Sequence, residues 1–118
     1  MEKKRILLVD DEESIQLLYR EEFEDEGYAF ESAYNGIEAL AKFRENPPDL
    51  VILDINMPGM NGIEVLRQMK ELHLSVPIIL SSAYQEYKQD FGTWASEAYV
   101  VKSANMDELK ATVRKHLV

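Results

Sequence analysis

At 118 residues, with 46% apolar and 30% charged side chains, the chain fits one domain that should bury roughly two-thirds of its unfolded surface, and its composition excludes repeats and disordered tails. Its 22 acidic against 13 basic residues leave a net charge of −9, which argues against direct nucleic-acid binding and would suit a cation site. Cysteine is absent, excluding disulfides and thiolate metal centres, and the start MEKKRILLVDDEE is neither a signal peptide nor a membrane span, so a cytoplasmic location is expected.

Arg5 to Val9 reads RILLV, a run of strand length that ends in Asp10, Asp11, Glu12 and Glu13. Glu12 and Glu13 suit the acidic first turn of a helix. Ile15, Leu18, Tyr19 and Phe23 at helical spacing, with Gly27 as a stop, predict the first helix. Tyr28 to Ala33 alternates weakly and predicts a second strand. Asn35, with Glu38 three residues on, predicts a capped second helix carrying Ile37, Leu40 and Ala41, ended by Asn46, Pro47 and Pro48. Leu50 to Leu53 is a buried third strand that stops at Asp54. Pro58, Gly59, Asn61 and Gly62 then fix a rigid turn, and Asn61 with Glu64 repeats the cap for a third helix marked by Ile63, Leu66 and Met69. His73 near its end reads as a charge partner of the helix terminus, not a ligand.

Pro77 to Leu80 predicts the fourth strand, running into Ser81, Ser82 and Ala83. Tyr84, Tyr87, Phe91 and Trp94 follow at offsets of three, four and three, an aromatic stripe for a fourth helix that reads first as core and second as a docking surface. Ala98 to Val101 is the fifth strand and ends in Lys102. Asn105 then caps a last helix with Leu109, Val113 and Leu117 on its buried face, and His116 in its final turn reads as solvated or paired with the helix dipole.

Five strand-then-helix units predict a mostly parallel sheet with helices on both faces, whose sites form at the carboxyl ends of the strands. The residues that close the strands are Asp10 and Asp11, Asp54, Ser82 and Lys102. One polar strand end is ordinary, but four at one sheet edge are hard to ascribe to chance. Two like charges about 4 Å apart repel by about 4 kcal/mol at an effective dielectric of 20, so converging acids call for a cation. The set makes sense as a phosphoryl acceptor. Asp54 would be the nucleophile, Asp10 and Asp11 with Asp54 would supply hard oxygens for Mg²⁺, and Lys102 and Ser82 would hold phosphoryl oxygens.

With LLVDDEE, LVILDINMPGMNG, PIILSSAY and AYVVKS spread over its whole length, the chain resembles the receiver domains of two-component response regulators. The resemblance implies a flavodoxin-like α/β fold: a doubly wound five-stranded parallel sheet in the order 2-1-3-4-5 with five helices, residues 1–118 forming one domain. It matches Asp54 to the phosphorylated aspartate, Asp10 and Asp11 to the acidic pair at the metal, Asn56 to a backbone-carbonyl ligand, Ser82 to the switch hydroxyl, Tyr99 to the switch aromatic and Lys102 to the family lysine. Ser103 follows that lysine where proline is usual, Asn61 stands where aspartate is common, and the aromatic stripe replaces a small-residue fourth helix.

The implied function is a switch in which Mg²⁺-dependent phosphorylation of Asp54, by a sensor histidine kinase or phosphotransfer protein, alters the face of the fourth helix, fifth strand and last helix to control an output protein. The domain would catalyse its own phosphorylation and dephosphorylation and turn over no separate substrate. Asn56 and Tyr84, each two residues beyond Asp54 and Ser82, would set the lifetime of the acyl phosphate. Neither nucleic acid nor membrane is an expected partner, while a phosphorylation-dependent homodimer is compatible with the family. A chain ending at Val118 reads as a stand-alone, chemotaxis-regulator-like receiver or as a domain of a longer regulator. Two alternatives stay open: a receiver-like interaction module that works without phosphorylation, and a phosphohydrolase, for which Asn56 lacks the needed second acid.

Overall fold

The computed structural model describes residues 3–57, 59, 61–73, 75–82, 96–102 and 105–117. Along the chain these form β1 (Arg5–Val9), α1 (Glu13–Asp25), β2 (Ala29–Ala33), α2 (Gly36–Glu45), β3 (Leu50–Asp54), α3 (Gly62–Leu72), β4 (Ile78–Ser82), β5 (Ala98–Val101) and α4 (Asp107–His116). All strands are parallel, in the order β2-β1-β3-β4-β5. The expected doubly wound topology is therefore the observed one. Four helices lie among the described residues. The aromatic stripe of Tyr84, Tyr87, Phe91 and Trp94 lies outside them, as do Pro58 and Ser103.

The two-residue period of the strands sorts the core into two layers. Leu7, Val9, Val51, Leu53, Ile78 and Leu80 pack on one side of the sheet with Phe43, Leu66 and Met69. On the other side, Ile6, Leu8, Leu50, Ile52 and Ile79 pack with Phe23, Leu109 and Val113. Asp10 continues the parity of Ile6 and Leu8, Asp54 that of Leu50 and Ile52, and Lys102 that of Ala98 and Val100. The three polar groups thus leave the sheet on one side, above α1 and α4.

Two helices depart in part from the expected pattern, although Tyr19 and Phe23 are buried and Ile15 packs against the core as their spacing predicts. In α1 the buried residues are Gln16, Tyr19 and Phe23, while Leu18 is 43% exposed and Leu17 more so. Gln16, Tyr19 and Phe23 stand at i, i+3 and i+7, so a polar residue completes the buried stripe. In α2 the buried face is Gly36, Ala39, Leu40 and Phe43; Leu40 is where expected, but Ala41 is exposed and Ile37 is 74% exposed. Leu66 and Met69 in α3, and Leu109 and Val113 in α4, are buried as their spacing predicts, with Leu117 partly buried against the same layer.

The caps follow from side-chain chemistry. The Asn35 side chain accepts from Glu38 N at 2.8 Å, and Glu38 accepts in return from Tyr34 N. Asn61 accepts from Glu64 N at 2.9 Å. At α4 the N-cap residue is Met106; Asn105 stands one position earlier and accepts from Asp107 N at 2.8 Å. Gly27, at φ +96°, ends α1 in a Schellman pattern: Tyr28 N donates to Phe23 O and Gly27 N to Glu24 O, with the Tyr28 and Phe23 rings 6.1 Å apart. His73 caps the end of α3 with its ring 5.6 Å from that of Phe43, and His116 Nδ1 lies 2.9 Å from Thr112 O in the last turn of α4. Gly62 has a different role from the turn-former it resembles in sequence. A Cβ there would sit 2.5 Å from Asp54 O and Ile55 Cα, so only glycine lets α3 begin directly against the end of β3.

Candidate functional site

The ends of β1, β3 and β5 converge as their parity requires. Asp10, just past β1, is 1% exposed, and Asp54, the last residue of β3, is 4% exposed; Asp11 stands at the exposed rim. Carboxylate oxygens of all three lie within 4.8 Å of one another. Lys102, the first residue past β5, places Nζ 2.7 Å from Asp10 Oδ2 and 3.5 Å from Asp54 Oδ2. Main-chain donors hold the remaining oxygens: Glu12 N donates to Asp10 Oδ1 at 2.9 Å and Asn56 N to Asp54 Oδ1 at 3.2 Å.

These neighbours set the charge states. The Asp54 carboxyl is raised to about 6: burial pushes it up most, the Lys102 ammonium and the Asn56 amide pull it back, and the Asp10 charge adds to the rise. Burial works against the Lys102 ammonium, but its hydrogen bond to Asp10 and the two carboxylate charges outweigh that and raise its pKa. Lys102 is firmly cationic at neutral pH. Asp54 is ionised there too, at a cost.

The other residues singled out in the sequence take these places. Ser82 closes β4 fully buried, and its carbonyl accepts from Lys102 N at 2.7 Å, which seats the end of β5 beside it. Ser81, not Ser82, is the residue in register with Asp54, and it shares the sheet face of Asp10, Asp54 and Lys102. Asn56 lies exposed in the loop after β3, and Tyr99 is half-buried against the α2–α3 layer. Tyr84 lies outside the described residues. Behind Lys102 a cavity of about 30 Å³ is lined by Tyr19, Ser81, Asn105 and Met106, among others. Burial raises the pKa of the Tyr19 phenol, which stays protonated.

Sequence reading missed one residue at the site. Gln16, fully buried in α1, donates Nε2 to the carbonyls of Leu8, Asp10 and Ala33. The available signal was its spacing from Tyr19 and Phe23, which places a polar side chain on the buried stripe.

The donor set has the chemistry for a hard divalent cation. Three carboxylates supply oxygen ligands, with no thiolate in the chain, and Mg²⁺ characteristically binds through one or two carboxylates while keeping several waters.

Comparison with known proteins agrees with this geometry. The chain belongs to the response regulator receiver domain family, whose profile matches residues 6–114. It is 37% identical over 119 residues to sporulation initiation phosphotransferase F of Bacillus subtilis, covering 99% of this chain and 96% of that protein. Response regulator protein TrrA from Thermotoga maritima, solved in complex with Mg²⁺-BeF, is 51% identical, with a TM-score of 0.94 over 97% of this chain and 99% of that one. TrrA in complex with the histidine kinase ThkA matches at 50% identity and a TM-score of 0.92, covering 98% of this chain and 99% of that one. Against regulatory protein AtoC of Escherichia coli and the transcriptional regulatory protein YkoG of Bacillus subtilis, the chain spans only 25% and 52% of their length. No helix among the described residues is long and apolar enough to cross a membrane.

Proposed function

We propose that residues 1–118 form one receiver domain that works as a phosphorylation-operated switch, with Asp54 as the phosphoacceptor. The observation that carries this reading is the convergence of Asp10, Asp11 and Asp54 around a lysine that already touches two of them. Mg²⁺, when bound, would supply positive charge against the negative charge gathered in the transfer. Asp10, Asp11, Asp54 and the Asn56 carbonyl would hold it. A carboxylate oxygen of Asp54 attacks phosphorus, the bond from phosphorus to the donor breaks, and an acyl phosphate results. Lys102 then turns from Asp10 and Asp54 toward a phosphoryl oxygen, Ser82 donates to another, and Tyr99 repacks, altering the face made by β5 and α4. Asn56 and Tyr84 would set how long the acyl phosphate survives.

The donor would be a phosphohistidine of a sensor kinase or a phosphotransfer protein, and the reader of the altered face a separate output protein in the cytoplasm. TrrA, solved both with Mg²⁺-BeF and with a histidine kinase, supports this assignment of cofactor and partner class. The test is the intact mass of the protein after incubation with Mg²⁺ and a small acyl-phosphate donor, for wild type and Asp54→Asn. The expected result is a gain of one phosphoryl group that needs both Mg²⁺ and Asp54. No gain in a wild type shown separately to bind Mg²⁺ would overturn the reading in favour of an interaction module that works without phosphorylation.

A further inference from the structure

Consecutive side chains on an extended strand point to opposite faces, yet the carboxylates of Asp10 and Asp11 converge with that of Asp54. The main chain must therefore leave the strand path at Asp10 and be held there. Four hydrogen bonds hold Asp10, one at each of its polar atoms. Its N–H donates to Ala33 O at 3.0 Å, Glu12 N donates to its Oδ1 and Lys102 Nζ to its Oδ2, and its carbonyl accepts from Gln16 Nε2 at 3.0 Å. Gln16 is the one partner that reaches in from the body of α1, and its hydrogen bonds go to main chain.

The same Gln16 nitrogen also reaches Ala33 O at 3.0 Å and Leu8 O at 3.2 Å. One carboxamide thus gathers the end of β1, the end of β2 and the first residue of the acidic loop. Its own oxygen is buried without a hydrogen-bond partner among the described residues. An unpaired acceptor in the interior is a penalty that an apolar side chain of equal length, such as methionine, would not carry. Packing alone would favour methionine at this place; the donors are what glutamine adds.

We propose that Gln16 is a positioning residue for the cation site: it fixes the bend after β1 that brings Asp11, at the rim, round to the side of Asp10 and Asp54. This rests on the reading that these acids hold Mg²⁺. Groups that orient metal ligands characteristically cost 10- to 100-fold in metal affinity when removed, so Gln16→Met should weaken Mg²⁺ binding by roughly that factor.

The experiment titrates Mg²⁺ alone into wild type and Gln16→Met by calorimetry and records the melting temperature of each without metal. The expected result is a weakened dissociation constant in a variant that melts near wild type. Equal Mg²⁺ affinity in the two, with or without a lower melting temperature, overturns the inference and leaves the function proposed above intact. A wild type that binds no Mg²⁺ overturns both. Because the variant could fail to fold, the wild type is also followed by NMR during the same titration. The Gln16 side-chain amide resonances are expected to shift together with the main-chain amide of Glu12, and a Gln16 pair that stays still overturns the inference.

Discussion

Replacing Asp54 with asparagine should stabilise the metal-free protein, by an amount that depends on pH. The carboxyl is buried at the end of β3, and its pKa rises from 3.8 to about 6, chiefly through loss of solvent. At about 1.4 kcal/mol per unit, ionised Asp54 costs the folded state about 3 kcal/mol. Its sign follows from where the proton is held. The unfolded chain releases it near 3.8 and the folded protein near 6, so stability falls as pH rises through that interval and the full cost is present above it. Asparagine has nearly the same shape and no charge, and Lys102 keeps its 2.7 Å contact with Asp10. Thermal unfolding in chelator should therefore place the variant roughly 10 °C above wild type near neutral pH. The gap should narrow toward pH 4 and close below it, where the carboxyl is protonated in the folded and the unfolded chain alike. Excess Mg²⁺ should also narrow it, because a cation repays the wild-type carboxylate and the variant lacks that ligand. A variant that melts at or below wild type near neutral pH, or a gap that ignores pH, would refute burial as the dominant influence on Asp54.

Lys102→Met should do the opposite. It strands two buried carboxylates, for which a loss of about 3–5 kcal/mol is expected in urea unfolding without metal, partly restored by Mg²⁺; a loss within experimental error would mean that the acids are not held as charges. Gly62→Ala forces a methyl group to within 2.5 Å of the β3 main chain and should cost about 1–3 kcal/mol by overpacking. Since the displaced atoms belong to Asp54 and Ile55, slower phosphorylation should accompany the lost stability. An alanine variant as stable as wild type would show that α3 does not begin against β3.

How far the sequence discloses this molecule depends on the range of each interaction. Strand parity is a local property, so the runs ending at Asp10, Asp54 and Lys102 predict both the sheet and the edge where those groups meet. Asn35 and Asn61 act within one helical turn and are equally legible. What escapes is the polar member of the buried stripe of α1. Leu18 draws an apolar reading toward itself, whereas the helix buries Gln16, whose carboxamide meets the main-chain carbonyls of Leu8, Asp10 and Ala33. Ile37 misleads in the same way at the start of α2. The sequence identifies Lys102 as a partner for charge, but its closer approach to Asp10 than to Asp54 depends on strand register and the twist of the sheet.

The charge count at the site explains why it is poised to act. Three carboxylates meet one ammonium, leaving an excess of two negative charges in a mouth where two of the acids have little solvent. The raised pKa of Asp54 reflects that burial and its neighbouring charge. A divalent cation removes the excess, and in doing so would lower the pKa of Asp54 and present it as an ionised nucleophile at neutral pH. Phosphorylation at Asp54, as proposed, would exchange one carboxylate charge for the two of an acyl phosphate and so restore negative charge at the site. Lys102 is held to its present partners by contacts of 2.7 and 3.5 Å, and the new charge would give it a competing place to go. Lys102 directly follows β5 and its amide is bonded to Ser82 O at the end of β4, so a movement of Lys102 would act on the ends of both strands. The proposed switch would therefore need no distant wire: a charge formed at Asp54 would act on the lysine just past the strand that leads to the proposed output face.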